Sequence, residues 1–277
     1  MSDVVRFSVV IPAHQEERVV GRCLDGFVHD LGDAAEVVVV ANGCTDRTAA
    51  VARERPGVRV LELEEGSKRL ALDAGDAAST TFPRIYLDAD VVVGAPALRA
   101  VADALSGARP RVAAPRVRFR VGGRPWAVRA FYAAYARIPY TTDGLVGLGL
   151  YGVSESGRRR FGAFPPVTSD DLFVQRTFAP EERVVLTDHV FEVETPRTLR
   201  SLLAVRTRTA QGNAELAGSG EVAHATSTGE TVRSLLSDVR RDPRTLPSTS
   251  VYVMVVALAR LRARRGPATW HRDETTR

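Results

Sequence analysis

The chain has 277 residues, enough to bury a substantial core as one large domain or as a core with a subdomain. Hydrophobic residues make up 44% and charged residues 26%, as in ordinary soluble globular proteins. The net charge of +5 favours anionic partners, but the arginines are scattered and aromatic residues are only 6%, which argues against nucleic acid. Two cysteines are too few for a disulfide framework or a metal cluster, so we expect reduced thiols in the cytoplasm.

Short apolar strands alternate with amphipathic helices through the first hundred residues. The N-terminus leads straight into the first strand, so we expect no signal peptide. The predicted strands lie at 7–11, 37–40, 58–63 and 84–87, and the predicted helices start near Glu16, Thr45, Ser67 and Pro96.

This alternation predicts an α/β fold with a mainly parallel sheet and helices on both faces. In such sheets ligands bind beyond the carboxyl ends of the strands. The loop at 12–17, the turn at 42–46 and the pair Asp88 and Asp90 should therefore lie along one edge of the sheet.

The second half of the sequence is less regular. A strand or hairpin arm is predicted at 112–121, loop and short strand at 144–164, and a short helix from Ser169-Asp170-Asp171 to Arg176. Helices are predicted after Pro196, around 231–239 and at 250–265, before a frayed tail. We expect three parts, at 1–110, 111–215 and 216–277.

Asp88 and Asp90 follow an apolar run and are separated by one small residue. If the strand persists to its end, the two side chains share a face of the sheet. Two adjacent carboxylates repel each other unless a cation lies between them, and a hard divalent ion is the natural candidate. The alternative is a solvated turn at the end of a strand.

Four motifs occur in order through the first hundred residues. They are Val9-Val10-Ile11-Pro12-Ala13-His14-Gln15-Glu16-Glu17, Ala41-Asn42-Gly43-Cys44-Thr45-Asp46-Arg47-Thr48, Lys68-Arg69-Leu70-Ala71-Leu72-Asp73-Ala74-Gly75 and Asp88-Ala89-Asp90. Together they resemble family 2 of the glycosyltransferases, which have the GT-A fold. The resemblance implies a mixed, mainly parallel sheet flanked by helices, with a helical C-terminal region.

The implied reaction moves a sugar from a nucleoside-diphosphate sugar, UDP- or GDP-linked, to an acceptor hydroxyl, usually with inversion. The acceptor could be a saccharide, a lipid-linked molecule or a small metabolite. Residues 1–110 would bind the donor, 111–215 would bind the acceptor and supply the base, and 216–277 would form a helical extension. Two alternatives are a sugar nucleotidyltransferase, whose expected glycine-rich phosphate loop is missing after the first strand, and a non-catalytic nucleotide-binding module.

By resemblance, the nucleotide pocket would be lined by Pro12, Ala13, Glu16 and Asn42. Many relatives have an aspartate in place of Asn42, which leaves the nucleotide base open. Glu16 could instead stabilise the first turn of its helix. In the same loop region, Asp46 could equally cap a helix or contact a ligand.

Lys68 is the only lysine in the chain, and the resemblance places it near the phosphates, where an ammonium offsets negative charge. The alternative is a solvated surface lysine. Asp90 would bind Mg²⁺ or Mn²⁺ directly, while Asp88 contacts ribose or reaches the ion through water. The ion would assist departure of the diphosphate as a Lewis acid.

By resemblance, the general base that deprotonates the acceptor would be Asp170 or Asp171. Counted back from Arg176, Asp170 has the better register and Asp171 would orient it, although Ser169 stands where many relatives have glutamate. An acidic pair at the start of a helix is the structural alternative. Arg206 and Arg208, with Gln211, fall where relatives often have a basic loop near the diphosphate, and a solvated helix face is the alternative. A third metal ligand could come from His189 or His224, but lone histidines are more often structural.

The C-terminal apolar stretch from Val251 to Leu261 is followed by several arginines. It predicts either an amphipathic helix at a membrane surface or a helix packed on the core with a basic end. Its apolar run is shorter than the roughly 20 residues of a transmembrane helix.

Overall fold

The computed structural model describes residues 6–142, 148–165, 170–218 and 228–264. The strands in these residues are β1 (Phe7–Ala13), β2 (Ala35–Asn42), β3 (Val58–Leu63), β4 (Arg84–Leu87), β5 (Val112–Arg120), β6 (Leu150–Val153) and β7 (Arg183–Glu194). The α-helices are α1 (Val20–Asp25), α2 (Val28–Leu31), α3 (Thr48–Arg53), α4 (Lys68–Ala78), α5 (Ala95–Leu105), α6 (Trp126–Tyr135), α7 (Pro139–Thr142), α8 (Glu155–Arg158), α9 (Asp170–Thr177), α10 (Leu199–Gly218), α11 (Thr228–Arg241) and α12 (Leu246–Ala263).

The strands form one sheet in the order β3-β2-β1-β4-β6-β5-β7. Strand β1 pairs in parallel with β2 and β4, and β2 pairs in parallel with β3. Strand β6 is antiparallel to both β4 and β5. The predicted mixed, mainly parallel sheet flanked by helices is therefore confirmed.

The apolar runs of the sequence form the centre of the sheet. Every residue of β1 is buried, and so are the four valines of β2. Helix α4 packs closely on this layer, because a Cβ atom at Gly75 would lie 2.3 Å from Val10 Cγ1 and 3.2 Å from Val40 Cγ2. Glycine at this position lets the helix backbone approach the two strands.

The predicted helix from Glu16 is wrong in extent, because the structure has the two short helices α1 and α2. The backbone N–H groups of Gly26 and Phe27 donate to carbonyls three residues earlier, which tightens and ends α1. Gly26 is also closely packed, since a Cβ there would lie 2.6 Å from the carbonyl oxygen of Val93. The apolar side chains that suggested one helix are still mostly buried.

The chain packs as two compact units. The sheet unit contains residues up to Arg118, the segment around β6 and the segment Asp170–Val193. The helical unit contains the segment from Phe119 through α7 and the segment from Glu194 onward. The predicted division at residues 110 and 215 stays a prediction.

Helices α6, α10 and α12 pack together in the helical unit. An aromatic cluster joins two of them, with the ring centroid of Tyr252 lying 5.3 Å from that of Phe131 and 6.3 Å from that of Tyr135. The predicted helical C-terminal region is thus present. Among the described residues, no helix combines the length and apolar character that a membrane crossing needs.

Candidate active site

The loops that follow β1 and β2 are joined by hydrogen bonds at the carboxyl edge of the sheet. Gln15 Oε1 accepts from the backbone N–H groups of Thr45, at 2.9 Å, and Asp46, at 3.2 Å. His14 Nδ1 lies 2.6 Å from the carbonyl oxygen of Asn42. The predicted convergence of these loops is confirmed, although the sequence did not identify Gln15 as the residue that connects them.

Asp46 lies just before the N-cap residue of α3 and bonds both to the first turn of that helix and to the neighbouring loop. Its carboxylate accepts from the backbone N–H groups of Thr48, at 3.0 Å, and Glu17, at 3.1 Å. Partial burial opposes ionisation, but the hydrogen bonds from Thr48 and Glu17 outweigh it and lower the pKa of Asp46. The N-cap position of α3 is Arg47, so Asp46 is not the cap residue itself, and a ligand contact for Asp46 stays a prediction.

The residues predicted to contact the nucleotide differ in where they lie. Pro12 lines a small cleft beyond the ends of the strands. Ala13, Glu16 and Asn42 are buried and are not among the residues that line it. Asn42 Nδ2 donates to the carbonyl oxygen of Ala13 at 2.8 Å, so this amide ties the end of β2 to the end of β1. A contact between Asn42 and a nucleotide base stays a prediction.

The cleft brings together residues from distant parts of the sequence. Its lining residues are Pro12, Lys68, Leu72, Tyr86, Leu87, Asp88, Gly149, Tyr151, Asp170 and Asp171. Of the residues predicted from the sequence, the structure therefore places five in one cleft: Pro12, Lys68, Asp88, Asp170 and Asp171.

Lys68 lies at the centre of the charged groups in this cleft. It is the first residue of α4. The N-cap of this helix is Ser67, whose hydroxyl accepts from the N–H of Leu70 at 3.4 Å. Lys68 Nζ lies 2.8 Å from Asp88 Oδ1 and 2.8 Å from Asp170 Oδ1. Burial lowers the pKa of Lys68, but the two carboxylates outweigh burial and raise it overall. The ammonium is therefore charged and bridges the two acidic motifs.

The two carboxylates in the first turn of α9 have different partners. Asp170 is buried and faces Lys68, and it also accepts from the hydroxyl of Tyr151 at 3.0 Å. Asp171 accepts from the backbone N–H groups of Leu148, at 2.9 Å, and Leu172, at 2.8 Å. Burial and the adjacent Asp170 raise the pKa of Asp171, with Lys68 opposing. Asp171 thus holds the backbone around the cleft, whereas Asp170 faces the Lys68 ammonium. The role of either carboxylate as a general base stays a prediction.

Two tyrosines that the sequence did not single out support Asp170. The ring of Tyr86 stacks on that of Tyr151 with centroids 5.1 Å apart, and its hydroxyl donates to Asp76 Oδ1 at 2.6 Å. Asp76 Oδ2 in turn lies 3.0 Å from Arg158. Burial, with Asp170 adding to it, raises the pKa of Tyr151, which keeps its hydroxyl protonated and able to donate. The sequence could have indicated Tyr86, because it lies two residues before Asp88 in an apolar strand and residues two apart share a face of the sheet.

Asp88 and Asp90 lie in a turn rather than on a continuing strand. Strand β4 ends at Leu87, and the N–H of Val91 donates to the carbonyl oxygen of Asp88 at 3.1 Å. The alternation expected from a strand therefore does not apply to this pair. The N–H of Asp88 donates to the carbonyl oxygen of Gly149 at 2.8 Å, and a Cβ at Gly149 would lie 3.2 Å from Asp88 Oδ2. The φ angle of Gly149 is +96°. Glycine is therefore favoured at this position both by the backbone conformation and by the lack of space for a Cβ atom.

The donor set of this turn is suited to a hard divalent cation. Asp88 and Asp90 both raise the pKa of the buried Cys23 thiol, after burial itself, so both carboxylates act on the same small region. Mg²⁺ commonly uses one or two carboxylates together with substrate phosphate oxygens. Within the described ranges, no group of three or more His, Cys, Asp or Glu side chains could hold a metal ion. The two aspartates thus fit a cation whose coordination a bound diphosphate would complete.

The remaining predicted residues lie elsewhere. Arg206 and Arg208 belong to the helical unit, on the continuous helix α10. The guanidinium of Arg206 lies 4.8 Å from the ring centroid of Tyr135 and 5.6 Å from that of Phe131, so it packs on aromatic rings. A diphosphate contact for these arginines stays a prediction. His189 is on β7, and His224 and Ser169 lie outside the described residues.

Comparison with known protein families shows which family the chain belongs to. The family model described as Glycosyl transferase family 2 matches residues 8–153, just over half of the sequence. This range contains β1 to β6 and includes Lys68, Asp88, Asp90 and Tyr151. A comparison with curated protein sequences gives no significant match.

Two solved structures resemble the chain in fold. The first is the mannosyltransferase PcManGT from Pyrobaculum calidifontis in complex with GDP-Man and Mn²⁺, with a TM-score of 0.63, 22% identity, and coverage of 94% of this chain and 79% of that one. The second is glucosyl-3-phosphoglycerate synthase from Mycobacterium tuberculosis in complex with Mn²⁺ and UDP-glucose, with a TM-score of 0.55, 19% identity, and coverage of 80% of this chain and 81% of that one.

Fold and cleft together define a glycosyltransferase of the GT-A class. The chain belongs to glycosyltransferase family 2. The predicted family, fold and type of enzyme are confirmed, and the family assignment favours a glycosyltransferase that uses a nucleotide sugar over a nucleotidyltransferase.

Proposed function

We propose that this protein is a metal-dependent glycosyltransferase that moves a sugar from a nucleoside-diphosphate sugar to an acceptor hydroxyl, with Asp170 as the general base. The observation that carries the proposal is the bridge that Lys68 makes between Asp88 and Asp170, with both nitrogen–oxygen distances at 2.8 Å. One cleft thus holds an acidic turn suited to a metal and diphosphate, a cation suited to phosphate, and a buried carboxylate suited to proton transfer.

Lys68 has two roles in this proposal. In the structure its ammonium neutralises Asp88 and Asp170, which would otherwise repel each other. When donor is bound, the same ammonium would interact with diphosphate oxygens and offset the negative charge that grows as the diphosphate leaves. A divalent ion held by Asp88 and Asp90 would supply Lewis-acid stabilisation to that leaving group.

Asp170 would accept the hydroxyl proton of the acceptor. As the proton moves to the carboxylate, the acceptor oxygen bonds to the anomeric carbon and the bond from that carbon to the diphosphate oxygen breaks. The bonding electron pair remains with the diphosphate. Attack from the face opposite the leaving group would invert the configuration, as is usual in the family. Tyr151 holds Asp170 by the 3.0 Å hydrogen bond throughout.

The nucleotide of the donor is either UDP or GDP. The Pyrobaculum calidifontis structure contains GDP-Man and the Mycobacterium tuberculosis structure contains UDP-glucose, each with Mn²⁺. Both donors are nucleoside-diphosphate hexoses, and this supports a hexosyl donor here. The acceptor is a hydroxyl compound, of which phosphoglyceric acid is the example in one neighbour complex.

The proposal can be tested by calorimetric titration of UDP and GDP, with and without Mn²⁺, against the parent protein, Asp90→Ala and Asp103→Ala. Asp103 is an exposed aspartate on α5 and serves as the matched control. We expect one diphosphate to bind in a Mn²⁺-dependent manner to the parent and to Asp103→Ala, with at least about tenfold weaker binding to Asp90→Ala.

Asp170→Asn separates binding from catalysis. It should bind the diphosphate and Mn²⁺ but transfer or hydrolyse the nucleotide sugar at least ~100-fold more slowly, since general-base catalysis commonly contributes that much. A folded parent that binds neither diphosphate would contradict the donor site. Binding without transfer or hydrolysis in the parent would instead support a non-catalytic nucleotide-binding module.

A further inference from the structure

Helix α12 exposes a continuous apolar side, which we call the α12 outer face and define as Leu246, Val253, Met254, Leu258 and Leu261. Each of these side chains is between 43% and 53% exposed. Residues three, four, seven and eight apart lie on the same side of a helix, so these five form one stripe along most of the 18-residue helix. A contiguous apolar stripe of this kind on a folded unit indicates an interaction surface.

The opposite side of α12 is packed inside the helical unit. Val251, Tyr252, Val255 and Ala259 are buried, and α12 contacts α6 and α10. The sequence left a membrane-surface helix and a core-packing helix as alternatives, and the structure shows that one side of α12 packs while the other is uncovered. Because protein covers one side, lipid could contact α12 only along the outer face.

The charges beside the α12 outer face are basic. Helix α12 contains no acidic residue, and Arg260, Arg262 and Arg264 at its C-terminal end are exposed. Just before the helix, Arg244 and Asp242 are both exposed, so the excess of positive charge lies at the C-terminal end. The range 228–264 contains seven arginines and three acidic residues, and one of the acidic residues, Asp238, is paired with Arg137 at 3.4 Å.

We propose that the α12 outer face binds the surface of an anionic lipid bilayer, with the helix axis parallel to the membrane. An exposed apolar stripe with arginines at its C-terminal end is an arrangement found in interfacial helices, where apolar side chains enter the headgroup region and the guanidinium groups contact lipid phosphates. A second copy of the chain fits the α12 outer face less well than an anionic bilayer does. Parallel pairing of two outer faces would bring the arginine-rich C-terminal ends together, and such like charges repel.

The test uses the full-length protein and sedimentation with vesicles of phosphatidylcholine alone or of phosphatidylcholine and phosphatidylglycerol at 7:3. The parent should bind the anionic vesicles and should bind them more weakly at high salt. Leu258→Gln/Leu261→Gln should reduce this binding by at least ~10-fold. Leu258→Met/Leu261→Met keeps the apolar character and should bind as the parent does.

A second pair of variants tests the charge contribution. Arg260→Gln/Arg264→Gln should reduce binding by about fivefold for each arginine removed. Arg6→Gln/Arg109→Gln removes the same charge from exposed positions in the sheet unit and should have little effect. All these substitutions lie outside the active-site cleft, so calorimetric binding of diphosphate reports separately on the fold and on the donor site.

Three results would overturn the proposal. The first is no binding of the parent to anionic vesicles, and the second is binding that the glutamine variants leave unchanged. The third is a parent dimer in sedimentation velocity that Leu258→Gln/Leu261→Gln converts to monomer without any vesicle binding, which would assign the α12 outer face to a second copy of the chain.

Discussion

Lys68 and Asp170 form an ion pair with 2.8 Å between Nζ and Oδ1, and the same ammonium lies 2.8 Å from Asp88. The only lysine of the chain therefore links the turn after β4 to the first turn of α9. Its pKa is raised by the two carboxylates despite burial. The stabilisation from this pairing is complete below the pKa of an unfolded lysine and is lost only as the pH rises through the higher folded value.

Replacing Lys68 with methionine keeps the length of the side chain and removes the charge. We expect kcat/KM to fall by roughly 10- to 100-fold, because charge-assisted hydrogen bonds contribute about 1.5–3 kcal/mol. The free energy of unfolding should fall by about 1–3 kcal/mol: the 35% exposure of the Lys68 side chain screens the pair, but the buried Asp170 loses its cation. Steady-state kinetics and urea unfolding measure the two effects.

The matched control for this variant is Arg69→Met, which removes a neighbouring cation of α4 that pairs with Asp73 at 3.1 Å. Neither Arg69 nor Asp73 lines the cleft. Activity in Arg69→Met should stay close to that of the parent. If both variants lose activity equally, the specific role of Lys68 is wrong.

Tyr151→Phe removes the hydroxyl that donates to Asp170 and keeps the ring that stacks on Tyr86. We expect kcat to fall about five- to tenfold, since one hydrogen bond contributes about 1 kcal/mol, with KM for the donor changed less than about twofold. Tyr86→Phe is the control, because its hydroxyl bonds to Asp76 and not to Asp170. A larger drop in kcat for Tyr86→Phe than for Tyr151→Phe would refute the positioning of Asp170 by Tyr151.

Asp46→Ala should cost about 1–2 kcal/mol of unfolding free energy at pH 7, because it removes the charged acceptor for the N–H groups of Thr48 and Glu17. Hydrogen bonds from Thr48 and Glu17 lower the pKa of Asp46 in the folded protein below its usual value of 3.8. The stabilisation is therefore present above about pH 4 and is lost as the pH falls through the folded value.

Urea unfolding of the parent and Asp46→Ala between pH 3 and pH 7 measures this dependence. The difference between the two proteins should be constant from about pH 5 to 7 and should shrink below about pH 4. A difference that is the same at pH 3 and pH 7 would show that the charge of Asp46 does not contribute.

Gly75→Ala should destabilise the protein by about 1–2 kcal/mol. Alanine favours the helix by about 1 kcal/mol, but its Cβ would lie 2.3 Å from Val10 Cγ1 in the buried sheet. An overlap this deep should cost about 2–3 kcal/mol, the upper part of the usual range for overpacking. A partial rescue is expected in Gly75→Ala/Val10→Ala, which removes the clashing methyl groups. Gly107→Ala is the control, since no atom lies within 4 Å of its added Cβ. Equal unfolding free energies for Gly75→Ala and the parent would contradict this packing.

Local patterns in the sequence were sufficient to predict most of the strands and helices of the sheet unit. The strand at Val58–Leu63 and the helix from Ser67 to Ala78 were predicted at or within one residue of their observed limits. Continuous apolar runs identify strands buried on both faces, and Ser67 is a typical N-cap residue. The first helix was the exception, because only the close approach of Gly26 to Val93 showed where it ends.

The candidate site was predicted in part. The sequence identified Pro12, Lys68, Asp88, Asp170 and Asp171, and the structure places all five in one cleft. It did not identify Tyr86, Tyr151, Gly149 or Gln15, because their contributions depend on contacts with residues far away in the chain. The prediction that Asp88 and Asp90 share a face of the sheet assumed that β4 continued through them. The alternation of apolar residues does not reveal that the chain turns at Asp88.

The amino-acid sequence by itself determined the alternating elements, the family and the residue types of the site, because apolar periodicity, caps and short motifs are local properties. Tertiary structure alone decided which carboxylate Lys68 meets, why Asp170 rather than Asp171 faces it, and that Arg206 packs on aromatic rings. It also decided that α12 packs with one side and exposes the other. The sequence of a helix with apolar residues on several sides does not show which side will pack against other helices.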